Sequence, residues 1–87
     1  MVNSMGMVAV TFKIMPESVS TDMDKIQDEI RSIVDAKEIK EIPIAFGLKL
    51  IEVLLVFDDN VGIGFIEEKL RNIEGVASVE SGDVTLL

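Results

Sequence analysis

Ile63-Gly64-Phe65-Ile66-Glu67-Glu68-Lys69-Leu70-Arg71-Asn72-Ile73 places aliphatic residues at 63, 66, 70 and 73, the spacing that lines one face of an α-helix. The same stripe stands forty positions earlier, at Met23, Ile26, Ile30 and Ile33, with Asp24, Lys25, Asp28, Glu29 and Arg31 on the remaining sides. Both stripes are read as core-facing, and their repetition predicts two similar β-α-β halves. The first helix is expected to begin near Asp22, because Ser20, Thr21 and Asp22 offer side-chain oxygens to its first free amides. The second is expected over Ile63–Ile73, with Gly75 as its C-terminal cap.

Strand patterns flank each helix. From Val8 to Met15 the chain alternates, with Val8, Val10, Phe12 and Ile14 to one side and Ala9, Thr11 and Lys13 to the other, until Pro16 stops it. Glu38–Phe46 reads as a second, more exposed strand, and Pro43 places it at a sheet edge because proline cannot donate to a ladder. Gly47 marks a turn. Leu48–Phe57 is apolar on both alternating faces apart from Lys49 and Glu52, as a central strand requires, and Asp58, Asp59 and Asn60 end it. The last strand is expected in two pieces, Val76–Glu80 and Val84–Leu87, broken by a turn at Ser81-Gly82-Asp83. The order β-α-β-β-α-β, with right-handed crossovers interleaved in one four-stranded antiparallel sheet, predicts an α+β two-layer sandwich of the ferredoxin-like type, both helices on one face. With 87 residues the chain has room for one core, so residues 1–87 are taken as a single domain and residues 1–5 as its flexible start.

Composition excludes more than it assigns. The chain has no cysteine and no histidine, which removes disulfides, thiolate chemistry, most zinc sites and the usual neutral-pH general base, so neither an enzyme nor a cofactor is expected. Sixteen acidic residues against eight basic ones give a net charge of -8, which opposes approach to nucleic acid or an anionic membrane and favours a protein partner with a basic surface. The start lacks the pattern of a secretory signal, and no uncharged apolar run reaches the ~20 residues that span a bilayer. A cytoplasmic protein is expected.

Two candidate chemistries fail on inspection. Asp58 and Asp59 with Glu67 and Glu68 do not supply the alternating ligands and closing glutamate of a calcium loop, and strand-end and helix-start roles explain them better. Gly62-Ile63-Gly64 lacks both a third glycine and a Gly-Lys-Ser/Thr sequence, so it reads as the start of the second helix rather than a phosphate loop. The stretch that remains is Ile42-Pro43-Ile44-Ala45-Phe46-Gly47-Leu48-Lys49. An aromatic directly before a glycine at the tip between two strands has two positions open to it. It projects outward as an apolar knob, or it packs under the hairpin or against Pro16.

Pro43-Ile44-Ala45-Phe46-Gly47-Leu48-Lys49 resembles the Pro-Ile-Ala/Gly-Phe-Gly-Leu/Ile segment of archaeal and eukaryotic elongation factor 1-beta. Met15-Pro16-Glu17-Ser18 resembles the opening of the archaeal members, and Ile73-Glu74-Gly75-Val76 matches their last helix-to-strand turn, so that the resemblance runs from about Met5 to Val84. It implies a guanine nucleotide exchange factor that acts on elongation factor 1-alpha, in its GDP-bound and nucleotide-free forms, during protein synthesis. Residues 43–49 would bind the partner, with Phe46 pressing on its second domain, while the C-terminal end approaches the GTPase domain beside the switch regions. An archaeal source is implied by the same resemblance. One family feature is missing: eukaryotic members carry a lysine next to the C-terminus, whereas here Leu86 stands there and no basic residue follows Arg71. Displacement of the switch regions, or another group at that end such as Lys37, would have to serve instead.

The competing reading is a ferredoxin-like regulatory domain that binds a small metabolite or oligomerises through its sheet. That reading asks for a glycine-rich loop after the first strand, and Met15-Pro16-Glu17-Ser18-Val19 has no glycine. An acylphosphatase-type enzyme would need an arginine loop at the same place, and none is present.

Overall fold

The computed structural model describes residues 6–87, so the flexible start expected over residues 1–5 lies outside the described residues. Strand β1 spans Met7–Pro16, helix α1 Met23–Ile33, strand β2 Ala36–Pro43, strand β3 Lys49–Asp58, helix α2 Ile63–Arg71 and strand β4 Val76–Leu86. The four strands form one antiparallel sheet in the order β2-β3-β1-β4, the topology that the repeated helical stripe predicts.

Alternation in β1 sorts its residues as expected: Val8, Val10, Phe12 and Ile14 are buried, whereas Ala9 and Thr11 are half-buried and Lys13 is exposed on the other face. In β3, Ile51, Val53, Leu55 and Phe57 join the same core, while Leu50, Leu54 and Val56 are half-buried on the sheet's open face. Ile26 and Ile30 of α1 and Ile66 and Leu70 of α2 close over one face only, so both helices share it. Each such side chain gains about 1.5–3 kcal/mol on full burial, and that gain, rather than intrinsic propensity, holds helices of 11 and 9 residues in place. The Asp22 carboxylate accepts from the Lys25 amide at 3.2 Å and so fixes where α1 starts.

Three sequence expectations need correction. Strand β4 is continuous through Ser81-Gly82-Asp83: Val10 pairs with Val84 and Phe12 with Ser81, so two steps along β1 face three along β4 and the surplus residue is taken up as a bulge. Strand β2 begins at Ala36 rather than Glu38, because Ala36 pairs with Leu55 across a second irregularity at Lys37, and it ends at Pro43 rather than Phe46 because Ala45–Gly47 turns tightly. Gly75 does not cap α2, which ends at Arg71. It lies instead in a turn closed by the Val76 amide donating to the Ile73 carbonyl at 3.2 Å, with φ 96°. A Cβ on Gly75 would stand 2.9 Å from Thr21 Cγ2, so both the conformation and the close approach of the neighbouring loop require glycine there.

Candidate functional site

The hairpin between β2 and β3 is built for a tight reversal. Pro43 faces Lys49 in the last pair of the ladder, and the Ile44 amide donates to the Leu48 carbonyl at 2.8 Å just beyond it. The Leu48 amide then donates to the Ala45 carbonyl at 3.1 Å, which leaves Phe46 and Gly47 as the two central residues of the turn. Both have positive φ, 60° for Phe46 and 78° for Gly47, the handedness that matches the twist of the flanking strands. Such turns favour Asn-Gly or Asp-Gly, so a phenylalanine in the first central position is strained.

That backbone decides where the ring goes. Phe46 is 95% exposed, so the packed position, under the hairpin or against Pro16, is not adopted and the ring stands clear of the domain. Ile44 is exposed to 39%, Pro43, Ala45 and Gly47 are exposed, Leu48 is half-buried, and Lys49 is exposed with its Nζ 3.7 Å from Glu41 Oε1. The structure therefore brings residues 43–49 into one loop around a solvent-facing aromatic. Exposing one phenylalanine so completely in an 87-residue chain with four of them forgoes burial worth about 1.5–3 kcal/mol.

Two features of this end are not legible in the motif. Glu41, one of the last residues of β2, uses both carboxylate oxygens: Oε1 faces Lys49, and Oε2 accepts from Gln27 Nε2 of α1 at 2.6 Å. The base of the hairpin is thus tied to the helix layer. Val19, on the loop between β1 and α1, is 66% exposed and lies beside Gly47, since a Cβ on Gly47 would stand 3.9 Å from Val19 Cγ1. The only signal in the sequence is a branched apolar residue between Ser18 and Ser20, in a loop otherwise polar.

The opposite end carries the C-terminus. Leu86 pairs with Val8, the Leu87 amide donates to the Met7 carbonyl at 2.9 Å, and both leucines are largely exposed, as are Met7 and Val61 in part. From Lys49 at the hairpin base to Phe57, which faces Val8, eight residue-to-residue steps along β3 cover about 26 Å. Lys37, near the start of β2, is at the C-terminal end of the sheet but on the opposite edge from Leu86, and its Nζ lies 2.8 Å from Asp35 Oδ2. Of the acids considered for metal binding, Asp58 Oδ1 accepts from the Asn60 amide at 2.9 Å, and Glu67 pairs with Arg71 at 2.9 Å. Among the described residues, no helix is long and apolar enough to cross a membrane.

A family model described as the EF-1 guanine nucleotide exchange domain matches residues 9–87, a span that includes the hairpin and the C-terminal end. The chain is 43% identical to elongation factor 1-beta of Methanosarcina acetivorans over 82 residues, covering 87% of this chain and 92% of that protein. It is 42% identical to elongation factor 1-beta of Archaeoglobus fulgidus over 89 residues, covering 95% of this chain and all of that protein. Against elongation factor 1-beta of Methanoculleus marisnigri the identity is 40% over 84 residues, with 95% of this chain and all of the relative covered. An exposed hairpin motif, a ferredoxin-like frame and full-length similarity to these proteins lead to one assignment: the chain belongs to the elongation factor 1-beta family, whose domain serves guanine nucleotide exchange in translation elongation.

Proposed function

We propose that this domain promotes GDP release from elongation factor 1-alpha by holding it at both ends, with residues Pro43, Ile44, Ala45, Phe46, Gly47, Leu48 and Lys49 as the principal docking loop. The observation that carries this reading is the strained, 95% exposed Phe46 at the tip of a braced hairpin. A ring held clear of its own core gives up no packing when a partner covers it, and with only two side-chain torsions to fix, most of its burial energy goes into binding. Exchange needs no covalent step from this chain. A factor that binds the nucleotide-free partner better than the GDP-bound one weakens GDP by the same ratio that GDP weakens the factor.

Charge supports a protein partner over nucleic acid or a membrane surface, because a net charge of -8 repels both polyanions, and a role in translation elongation supports the cytoplasm as the place where they meet. At the C-terminal end, no basic residue follows Arg71 in this sequence. Lys37 is a weak substitute, since it is already paired with Asp35. Displacement of partner loops by Leu86 and Leu87 is the simpler action at that end.

Release of a fluorescent GDP analogue from an archaeal elongation factor 1-alpha tests the reading. The parent domain is expected to accelerate release, and Phe46→Ala to lower its affinity for the partner about tenfold to a hundredfold with the fold intact by circular dichroism. Release that stays at its spontaneous rate under saturating parent domain removes the proposal.

A further inference from the structure

We infer that Val19, on the loop between β1 and α1, is a second contact residue of the hairpin-end docking surface, so that the partner's apolar site covers two loops rather than one. The inference rests on the proposed exchange reading and adds to it a residue outside residues 43–49.

The loop holds Val19 outward by its own bonding. The Ser18 amide donates to Thr21 Oγ1 at 3.1 Å, the Thr21 amide donates to the Ser18 carbonyl at 3.2 Å, and the Ser18 and Ser20 hydroxyls share a hydrogen bond of 2.9 Å. The Glu17 amide, donating to the Gly75 carbonyl at 2.9 Å, anchors the loop to the start of β4. The polar residues around Val19 are thus satisfied within the loop, while Val19 is left 66% exposed. A lone exposed valine needs no explanation, but this one adjoins the hairpin tip: Val19 Cγ1 would be 3.9 Å from a Cβ on Gly47, and Phe46 is the next residue.

Glycine at position 47 suits the turn by its φ of 78°. A Cβ there would stand in ordinary van der Waals contact with Val19 Cγ1, at 3.9 Å, so the two loops lie side by side at the tip. A partner surface that receives the Phe46 ring therefore meets the Val19 methyl groups in the same approach, and the occupant is the apolar site of elongation factor 1-alpha that takes that ring. Pro16, Val19, Met23 and Gly47, with Glu41 and Lys49 alongside, line a shallow cavity of about 250 Å³ behind this contact, which leaves room for a partner side chain to enter.

Val19→Ser and Val19→Asp, compared with Phe46→Ala, test the inference by affinity for nucleotide-free archaeal elongation factor 1-alpha and by fluorescent GDP release. Amide hydrogen exchange of Ile44 and Leu48 in the free domain reports whether the hairpin itself has changed. The expected result is about three- to tenfold weaker binding for Val19→Ser and a larger loss for Val19→Asp, with hairpin protection as in the parent. Val19 variants that bind like the parent while Phe46→Ala binds weakly would overturn this inference and leave the exchange reading standing. Weaker binding accompanied by lost hairpin protection would also overturn it, making Val19 a prop for the turn. A parent domain that neither binds nor accelerates release overturns both.

Discussion

A phenylalanine with φ near 60° holds its Cβ too close to the following carbonyl oxygen, at a cost of about 1–2 kcal/mol that asparagine or glycine largely avoids. Its ring recovers nothing from the domain's own core, being almost wholly exposed. Phe46→Asn is therefore expected to stabilise the free domain while weakening exchange. Relief of about 0.5–1 kcal/mol corresponds to a rise of roughly 2–8 °C in the melting temperature of a domain this size. Thermal melts of the two proteins, run beside the GDP-release assay, check it. A fall in melting temperature would mean the ring does pack in the free protein. The sequence shows an aromatic-glycine pair at a strand reversal but leaves the ring's direction open. That direction follows from the turn from Ala45 to Leu48, whose two central residues both take left-handed backbone, and where that turn falls depends on how β2 and β3 pair.

Element by element, the fold is legible in the residues where periodicity is long and not where a single residue decides. The stripes at 23, 26, 30, 33 and at 63, 66, 70, 73 locate both helices, because burying one face requires that spacing whatever the neighbours are. Ser81-Gly82-Asp83 looks like a turn by composition, yet pairing with β1 carries the strand through it and absorbs one residue as a bulge. Gly75 looks like a helix cap, yet α2 stops earlier and the glycine serves a β-turn under Thr21. The bulge makes a prediction of its own. Between the Val10–Val84 and Phe12–Ser81 pairs, β4 has one residue more than β1, so deleting Gly82 restores even pairing without turning Val79 or Val84 to the other face. That deletion is expected to leave a folded domain with a cooperative melt. Deleting Glu52 shifts the uninterrupted β1–β3 pairing by one, turning one side of β3 out of the core, and is expected to abolish folding. Chemical-shift dispersion and thermal melts of the two deletions distinguish them, and equal disruption would show that the bulge is itself required.

At the scale of the whole molecule, the described residues extend 51 Å along one axis and 20 and 17 Å across it, so the proposed docking at both ends has the length to reach well-separated sites. The hairpin end has a strained aromatic, a brace from Glu41 to Gln27 and an adjoining valine. The C-terminal end has two exposed leucines, Leu86 at the close of edge strand β4 and Leu87 just after it. Neither carries a charge, so this end would act on a partner by apolar contact and displacement alone, without a ring for a pocket to enclose. Removing Leu86 and Leu87 is accordingly expected to reduce GDP release less than Phe46→Ala does. The comparison requires a folded truncation, and the loss is local: Leu86 gives up its place opposite Val8, at the end of the edge strand, and Leu87 its amide bond to Met7. Release rates measured across a range of factor concentrations separate the two ends further. Weaker docking by Phe46→Ala shifts the concentration needed for half-maximal acceleration, whereas a blunted C-terminus lowers the maximal rate. A truncation that abolishes acceleration at saturating concentration would place the driving contact at the leucines and leave the hairpin as an anchor.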